Sequence, residues 1–496
     1  MIAPRRLLIL GFAVVLTFFN APHVLAETSE DKQAMGQQSV DPATSAAAGY
    51  TTDQVKPSGD IGSQIKFPVE KYKLANGLTV LLHEDHSVPL ISFQTWFHVG
   101  SKNEVPGHTG LAHLFEHMMF RGAKRYTGEQ LDTVLQANGA TNNAFTTDDY
   151  TGYYENLPSA KLELVIDIES DRMENLKINA ENLKAELQVV TEERRMRVDN
   201  NPGGILREAL FGTAFRVHPY KWPVIGYMKD LANENVTVEI AQAFHKMYYS
   251  PNNATVVIAG DFDSAAAKKL IEKYYGAIPQ QTIARIPRSM EPEQSSPRSQ
   301  FLTRPVQSTE FVLAYQTPKN GDPDSYALDL LANIMGAGES SRLHQRLVYK
   351  DETVTGVSVY NQTLQEAGLM QFYVNLKPGV DYRKAERAVM GEIWRPRNLA
   401  VSDVELQKAK NQVMKGYVDG LKTVHGRAEA LALNETLYGD YTMLFKDLES
   451  YNKVTKEQIR AVASKYLSPE RATLVVLKPE NVGSTKSRHH KKGGGA

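Results

Sequence analysis

Two segments of the 496-residue chain repeat each other without a gap, and this repeat constrains the fold more than any other feature of the sequence. VTVEIAQAFHKMYYSPNNATVVI begins at Val236, and VTKEQIRAVASKYLSPERATLVV begins at Val454, with one constant offset along their whole length. Each copy has helical spacing, then a Ser-Pro turn, then an apolar run typical of a strand. A gapless match of this kind predicts two copies of one domain, each closing with an edge strand.

The order of the elements indicates the fold class of each copy. Alternating strand patterns come first, LTVLLHEDHSVPLISFQTWFHVG in one copy and TEFVLAYQT in the other, and long helical stretches follow them. That order predicts α+β domains, each a mostly antiparallel sheet with helices packed on one face. The proline-rich stretch IPQQTIARIPRSMEPEQSSP separates the copies. We therefore expect a first domain at 63–282, a linker at 283–302 and a second homologous domain at 303–482.

The start of the chain, 1–26, has the pattern of a secretory signal peptide. Arg5 and Arg6 precede an apolar run, and a small-residue site predicts cleavage before Glu27. The alternative, a retained membrane anchor, fits less well because the apolar run is shorter than a spanning helix requires. The mature chain is therefore expected to be periplasmic or secreted and to have no membrane span. Segments 27–62 and 483–496 lack apolar periodicity, which predicts a disordered leader and a flexible basic tail.

A metal-binding pattern lies in the first domain. The stretch GLAHLFEHMMF contains His113, Glu116 and His117, which spell the inverted form of the zincin motif His-Glu-x-x-His. On a helix, residues four apart lie on one face, so the two histidines can share one Zn²⁺. Glu116 leans over the same face, and it is the candidate general base that takes a proton from the attacking water.

A catalytic zinc needs a third protein ligand and an open position for water. The chain has no cysteine, so His and Glu side chains must carry any metal. The downstream helical stretch AENLKAELQVVTEERRMRVDNNP holds Glu186 and Glu193 two helical turns apart, and therefore on one face. For Glu186 the alternative is an exposed helix residue. For the end of the stretch the alternative is a solvated charged face, made by Glu192, Glu193, Arg194 and Arg195.

Together these residues resemble the pitrilysin and insulysin family of zinc metallopeptidases, and the chain is similar to the half-size bacterial members and to the catalytic subunit of mitochondrial processing peptidase. In that family the third zinc ligand is a Glu about 75 residues after the inverted motif, with a second Glu about seven positions earlier. Glu193 follows His117 at that separation, and Glu186 lies seven positions before Glu193. The resemblance therefore implies one Zn²⁺ per chain, held by His113, His117 and Glu193. It also implies catalytic roles for Glu116, as general base, and for Glu186, which would orient a ligand imidazole or the water.

The resemblance further implies how substrate is bound. An extended peptide would add a strand to a sheet edge at Asn143, Ala144 and Phe145, where an ordinary Asn-containing turn is the alternative. Catalytic members use an Arg and a Tyr from the second domain, or from a partner subunit, to bind substrate carbonyls. In the segment SSRLHQRLVYKDETVTGVSVY those two positions are occupied by Val348 and Thr355.

A second pair in that segment has the spacing of the missing pair. Arg342 and Tyr349 are seven positions apart but lie six positions out of register, so we treat their spacing as a coincidence. The chain is therefore expected to be half of an active enzyme. Its mate would be a second half-size subunit that supplies the Arg and the Tyr.

The predicted function is that of a zinc endopeptidase acting on peptides or unfolded polypeptides. One alternative is a non-catalytic zinc-binding scaffold subunit of a larger complex, which would predict an eroded metal motif. Another is a zinc-storage or zinc-sensing protein, which would not need Glu116 beside the ligands. The net charge of −1 argues against nucleic acid as the main partner.

Overall fold

A computed structural model describes residues 66–232, 235–283 and 290–480 of the chain. The predicted signal peptide, leader and basic tail lie outside these residues, and so does part of the predicted linker. Within the described ranges, no helix combines the length and the apolar character that crossing a membrane requires.

The first half of the chain forms a six-stranded sheet with its helices. Its strands are β1 (Glu70–Lys73), β2 (Thr79–Glu84), β3 (Leu90–Phe97), β4 (Thr141–Thr146), β5 (Thr151–Pro158) and β6 (Ala254–Gly260). Its helices are α1 (Leu111–Met118), α2 (Gly128–Ala137), α3 (Leu162–Asn175), α4 (Ala180–Arg194), α5 (Pro202–Ala214), α6 (Val238–Tyr248) and α7 (Ser264–Tyr275). The strand order is β1-β2-β6-β3-β5-β4, with β2 and β6 parallel and the other neighbours antiparallel, so β4 is an edge strand.

The second half forms a five-stranded sheet of related topology. Its strands are β7 (Arg298–Arg304), β8 (Glu310–Thr317), β9 (Val354–Thr363), β10 (Gly368–Leu376) and β11 (Ala472–Pro479). Its helices are α8 (Pro323–Gly336), α9 (Tyr382–Asn398), α10 (Asp403–Gly420), α11 (Val424–Tyr438), α12 (Met443–Lys453) and α13 (Lys456–Tyr466). The strand order is β7-β11-β8-β10-β9, with β7 and β11 parallel and the rest antiparallel. The predicted α+β class, with two mostly antiparallel sheets, is confirmed.

The two repeated segments adopt the same local structure for the same reasons. Thr237 and Thr455 cap α6 and α13, and each hydroxyl accepts a hydrogen bond from a backbone amide of the first turn. Pro251 and Pro469 then open one-turn 3₁₀ segments that lead into β6 and β11. The prediction that each copy closes with an edge strand is wrong, because β6 lies between β2 and β3, and β11 lies between β7 and β8. A continuous apolar run such as that of β6 suits an interior strand covered on both faces.

Each sheet carries its own helices on one face. In the first half, Val256 and Ile258 of β6 pack with Phe115 of α1 and Leu187 of α4 in one core. In the second half, Val476 of β11 lies in a separate core with residues of α8, α9, α10 and α13. The predicted helical layer is therefore present in both halves.

The opposite face of each sheet is covered by a helix from the other half. Leu210 of α5 packs on the second sheet against Val475 of β11. Reciprocally, Leu431 of α11 packs on the first sheet with Trp96 and Val257. Both sheets are thus buried on both faces, and the two halves cannot separate without exposing apolar surface to water.

The predicted boundary between linker and second domain differs from the structure. The strand β7 begins at Arg298, inside the stretch expected to be a linker. Before it, the buried Gln294 side chain donates a hydrogen bond to the carbonyl oxygen of Ala472, at 2.9 Å. The Glu291 carboxylate accepts hydrogen bonds from the backbone N–H groups of 216–218. Proline content alone does not mark a free linker where polar side chains tie the segment to its neighbours.

Leu431→Ala should destabilise the chain by about 2–5 kcal/mol, because the side chain is fully buried and its truncation leaves a cavity between α11 and the first sheet. The measurement is the midpoint of urea unfolding of the full chain. Leu399→Ala is the matched control, since Leu399 is 60% exposed and its loss should cost less than about 0.5 kcal/mol. Equal midpoint shifts for the two variants would contradict the packing of α11 described above.

Candidate metal centre and substrate edge

The helix α1 carries the inverted motif, and its first turn is fixed from outside. It begins after Gly110, whose φ of 94° lies in the left-handed region that favours glycine. A Cβ at this position would lie 2.6 Å from the carbonyl oxygen of Ile225. The Glu104 carboxylate accepts hydrogen bonds from the backbone N–H groups of Gly110 and Ala112, at 2.8 and 2.9 Å. A carboxylate at a helix N-terminus satisfies amides that the helix itself leaves free.

The helix α4 presents two glutamates to α1. Leu183, Leu187 and Val190 lie in the first core and hold the helix on its apolar side. Glu186 and Glu193 are only 2% and 9% exposed, so their spacing along the helix does place both on the buried face. The alternative of an exposed helix residue is therefore wrong for Glu186.

The charged end of α4 divides into a buried part and an exposed part. Glu192 is exposed and forms an ion pair with Arg195, as a solvated face would predict. Glu193 and Arg194 are buried instead, and Arg194 donates a hydrogen bond to the carbonyl oxygen of Gly226. The solvated-face alternative therefore holds for Glu192 and Arg195 and is wrong for Glu193 and Arg194.

The structure brings His113, His117 and Glu193 together. Oε2 of Glu193 lies 3.1 Å from Nε2 of His117 and 3.7 Å from Nε2 of His113. One ligand atom from each residue lies within 4.8 Å of the others. Two ligands of a tetrahedral zinc at ordinary bond lengths are roughly 3.3 Å apart, which is close to both measured distances.

The hydrogen bonding and charge of this cluster also suit a metal ion. Among the described residues, Oε2 of Glu193 forms ion-pair contacts with the two imidazoles, whereas its other oxygen, Oε1, lies 2.9 Å from Nη1 of Arg197. Burial lowers the pKa of His113 to about 3, with the neighbouring His117 adding to the effect. Burial alone would raise the pKa of Glu193, but its contact with His117 and the charges of His113 and Arg197 lower it to about 2. A neutral imidazole and an ionised carboxylate are the forms that bind zinc.

Two further carboxylates flank the cluster. Glu116 is buried, and its Oε2 lies 3.9 Å from Nε2 of His113. Burial raises the pKa of Glu116, and the charge of Glu193 adds to the effect, while Thr146 and His117 oppose it. Glu186 contacts the His117 imidazole on the side away from Glu193, and its Oε2 lies 3.2 Å from Nδ1 of His117.

Several side chains that hold this arrangement are not among those predicted from the sequence. Arg121 forms an ion pair with Glu186, and Arg197 forms one with Glu193. Arg197 lies four positions after Glu193, a spacing that could have signalled their contact. Arg121 contacts Glu186 from a different segment of the chain, so spacing gave no signal for that pair. Glu104 gave no such signal, because it reaches α1 from a preceding loop.

The strand β4 contains the predicted substrate-binding residues. It pairs with β5 on one side, and it is the outermost strand of the first sheet, so its other edge has no strand beside it among the described residues. Ala144 points into the first core, on the face that α1 covers. Phe145 packs on the opposite face with residues of α11. The alternative of an Asn-containing turn at Asn143 is wrong, since Asn143 is inside the strand.

In the described part of the second half, Val348 and Thr355 occupy the positions expected for the carbonyl-binding Arg and Tyr, and Arg342 and Tyr349 lie out of register. Arg342 is held by Glu405, with Nε–Oε1 and Nη2–Oε2 distances of 2.6 and 3.0 Å. Tyr349 is 51% exposed. Val348 packs against the second core, and the Thr355 hydroxyl donates a hydrogen bond to the carbonyl oxygen of Asn375 at 3.2 Å.

Comparison with known proteins gives consistent matches to both halves. A family model described as insulinase (peptidase family M16) matches residues 79–227, and one described as the peptidase M16 inactive domain matches 235–413. The protein named zinc protease PqqE of Helicobacter pylori is 30% identical over 424 residues, which cover 83% of this chain and 93% of that relative. An uncharacterized zinc protease of Mycobacterium tuberculosis is 28% identical over 424 residues, or 84% of this chain and 93% of the relative.

Solved structures agree with the sequence matches. A protease from Helicobacter pylori superposes with a TM-score of 0.80 at 28% identity, over 83% of this chain and 99% of that one. A structure from Pseudomonas fluorescens, described as a peptidase M16 inactive domain, has a TM-score of 0.76 at 19% identity, over 84% and 98% of the two chains. Because family models match both halves and the Helicobacter pylori relative is similar along most of its length, the chain belongs to the insulinase family of peptidases, family M16.

Proposed function

We propose that this protein is a zinc-dependent endopeptidase that hydrolyses peptides or unfolded polypeptides. One observation carries the proposal: Glu193 directs an oxygen at both imidazoles, whereas Glu116 lies beside that cluster without belonging to it. Bound Zn²⁺ would supply a Lewis acid that lowers the pKa of water and polarises a carbonyl. A carboxylate next to the ligands but not among them is what a hydrolytic site needs in addition.

The residues of the chain then have separate tasks. His113, His117 and Glu193 would hold one ion and leave a position open. Glu116 accepts the proton of the attacking water and later delivers it to the leaving amine, and burial helps it to hold a proton by raising its pKa. Glu186 accepts a hydrogen bond from Nδ1–H of His117, which leaves Nε2 as the metal-binding nitrogen.

The free edge of β4 supports binding of substrate by strand addition. An extended peptide laid beside Asn143, Ala144 and Phe145 would pair through its backbone, so binding would not depend on one particular sequence. Because α1 packs beside the same strand, a peptide carbonyl held there would pass close to Glu116. The broad substrate class of the proposal follows from this backbone pairing.

A second half-size subunit is proposed to complete the enzyme. The ion pair of Arg342 with Glu405 occupies the guanidinium, and Val348 and Thr355 offer no cation or phenol at the expected positions. Substrate carbonyls would then lack donors from these positions of the described second half. A partner that brings an Arg and a Tyr would supply them.

One observation favours a second candidate, a non-catalytic zinc-binding scaffold subunit. The family model that matches residues 235–413 is described as the peptidase M16 inactive domain. That match falls mainly on the second half, whereas the metal cluster lies in the first, so both candidates accommodate it. The two candidates are separated by a variant that loses peptidase activity but keeps its zinc, because only the peptidase candidate predicts such a variant.

The cellular location is proposed to be the periplasm or the exterior. The support is the sequence of the segment 1–26, with its basic start, apolar run and small-residue cleavage site. Processing before Glu27 would be seen as the N-terminus of the mature protein.

Glu116→Gln should keep zinc bound but lower peptidase activity by about 10²–10⁴-fold, because the amide preserves shape and removes the proton acceptor. The measurements are zinc content by atomic absorption and cleavage of a fluorogenic peptide. Glu192→Gln is the control, since Glu192 is exposed and paired only on the surface, and it should match the wild type. Unchanged turnover in Glu116→Gln would overturn the role of Glu116 as general base, whereas a zinc-loaded wild type without turnover would leave the scaffold candidate.

Glu193→Gln should weaken zinc binding by about 10²-fold or more, because a neutral amide is a poor ligand beside two imidazoles. Competition with a chromogenic chelator measures the affinity. Glu192→Gln, at the adjacent position, should bind zinc as the wild type does. If both variants retained zinc equally on dialysis, the third ligand would have to be another residue.

The mature chain alone should be about 10²-fold or more less active than the same chain with its partner, because substrate carbonyls lack donors. The measurement is kcat/KM together with molar mass in solution. Arg342→Lys and Tyr349→Phe, tested in the assembled enzyme, should change kcat/KM by less than about two-fold if their spacing is a coincidence. Full activity from a homogeneous monomer or homodimer would rule out the requirement for a different partner.

A further inference from the structure

The helix α11 carries two carboxylates, Glu429 and Glu435, and only Glu435 is paired with a lysine among the described residues. Glu435 forms an ion pair with Lys71, at 2.6 Å. Glu429 has no Lys or Arg in ion-pair contact among the described residues, and its nearest basic neighbour is Nε2 of His425, at 3.7 Å. Its side chain is 25% exposed, so it is reachable from solvent although most of it is covered. Burial raises the pKa of Glu429, and no positive charge offsets that effect.

This carboxylate lies over the strands that lead to the substrate edge. The His425 ring packs on the Tyr154 ring, with centroids 4.5 Å apart, and contacts the amide of Gln94 on β3. Burial and the charge of Glu429 both raise the pKa of the Tyr150 and Tyr154 hydroxyls. Through His425, the Glu429 carboxylate is linked to the Tyr154 ring on β5, the strand that pairs with β4.

The register of the sheet connects this cluster to β4. Tyr154 of β5 is directly opposite Asn143 of β4, so the two side chains lie on the same face. That is the α11 face, because Ala144 and Tyr153, the next pair, both lie in the first core on the other face. Asn143 and Phe145 are both partly exposed. A strand added beside β4 would alternate its side chains in the same way.

A peptide on β4 would thus present every second side chain to α11. The side chain beside Asn143 would extend over a surface formed by Asn143, Phe145, Tyr154, His425 and Glu429. The only formal charge of that surface is the carboxylate, with one imidazole beside it and aromatic rings around it. An ammonium or guanidinium on a long apolar stem fits such a surface, since the stem packs on rings and the head meets the carboxylate.

We infer that Glu429, with Tyr154 and His425, forms a subsite that selects a Lys or Arg side chain in peptides bound along β4. The inference rests on the proposed peptidase function for the use of the β4 edge, and it narrows the substrate class to basic peptides. Successive residues of a strand face opposite sides. The peptide residues on either side of the selected Lys or Arg would therefore point their side chains toward α1. Glu429 is a specificity residue in this account, and it takes no part in proton transfer.

The test uses the full chain carrying Glu116→Gln, so that peptides bind without turnover. Fluorescence anisotropy is measured for short peptides of small neutral residues in which one Lys, or one norleucine as its uncharged counterpart, is moved through every position. At one position Lys should tighten binding about ten-fold over norleucine. Adding Glu429→Gln should abolish that difference. Adding Glu449→Gln, which removes an exposed carboxylate of α12 already paired with Lys453, should not.

The outcomes separate the subsite from the catalytic proposal. Absence of a Lys preference at every position, or a preference that survives Glu429→Gln, would overturn the subsite. Glu429→Lys should go further and favour Glu over Gln at the same position of the peptide, an inversion that general destabilisation cannot produce. Hydrolysis is measured separately with wild-type Glu116 and zinc, so an inactive protein that still shows the Glu429-dependent preference would count against the peptidase and support the subsite.

Discussion

The rest of the structure depends on the burial of both sheets on both faces. The helices of each half cover one face of its own sheet. The opposite face is covered by a helix of the other half: α5 of the first half packs on the second sheet, and α11 of the second half packs on the first sheet. The exchange explains why β6 and β11 are mostly apolar and occupy interior positions. It also fixes which surfaces meet at the site, because α1 and α11 cover opposite faces beside β4. In the proposed binding mode, a peptide on that edge would have the metal cluster on one side and the Glu429 carboxylate on the other.

Charge compensation determines how the buried carboxylates of the first half are used. Glu104 is held by two backbone amides, Glu186 by Arg121 and His117, and one oxygen of Glu193 by Arg197. Burying an unpaired polar group is costly, so each of these partners stabilises its carboxyl group inside the protein. Burial nevertheless raises the pKa of Glu104 well above its ordinary value, although the two amides oppose the effect. Of these three carboxylates, Glu193 directs its second oxygen, Oε2, at the two imidazoles. Glu116 has no such ion pair with an arginine among the described residues, and burial raises its pKa, which suits a proton acceptor rather than a ligand.

The two halves of the chain share a related architecture but differ in the side chains that they carry. Corresponding segments share caps, turns and strand positions, yet the metal cluster lies in the first half alone among the described residues. In the second half, side chains near the expected carbonyl-binding positions are used for stability, as in the pairing of Arg342 with Glu405. The second half contributes instead through α11, whose residues support the first sheet and approach its edge. This division agrees with the separate family models that match the two halves.

The sequence by itself determined what depends on local spacing. The constant offset between the two repeated segments fixed the duplication, the interval of four fixed His113 and His117 on one face, and the interval of seven fixed Glu186 and Glu193 on another. It could not determine what depends on contacts between distant segments. Packing alone decides the interior position of the repeated strands, the start of β7 inside a proline-rich stretch and the contact of Glu193 with Arg197. It also decides the contact of the α11 residue His425 with Tyr154 on β5. Periodicity reports which face of an element is apolar, whereas the identity of the element that covers that face is decided by the tertiary structure.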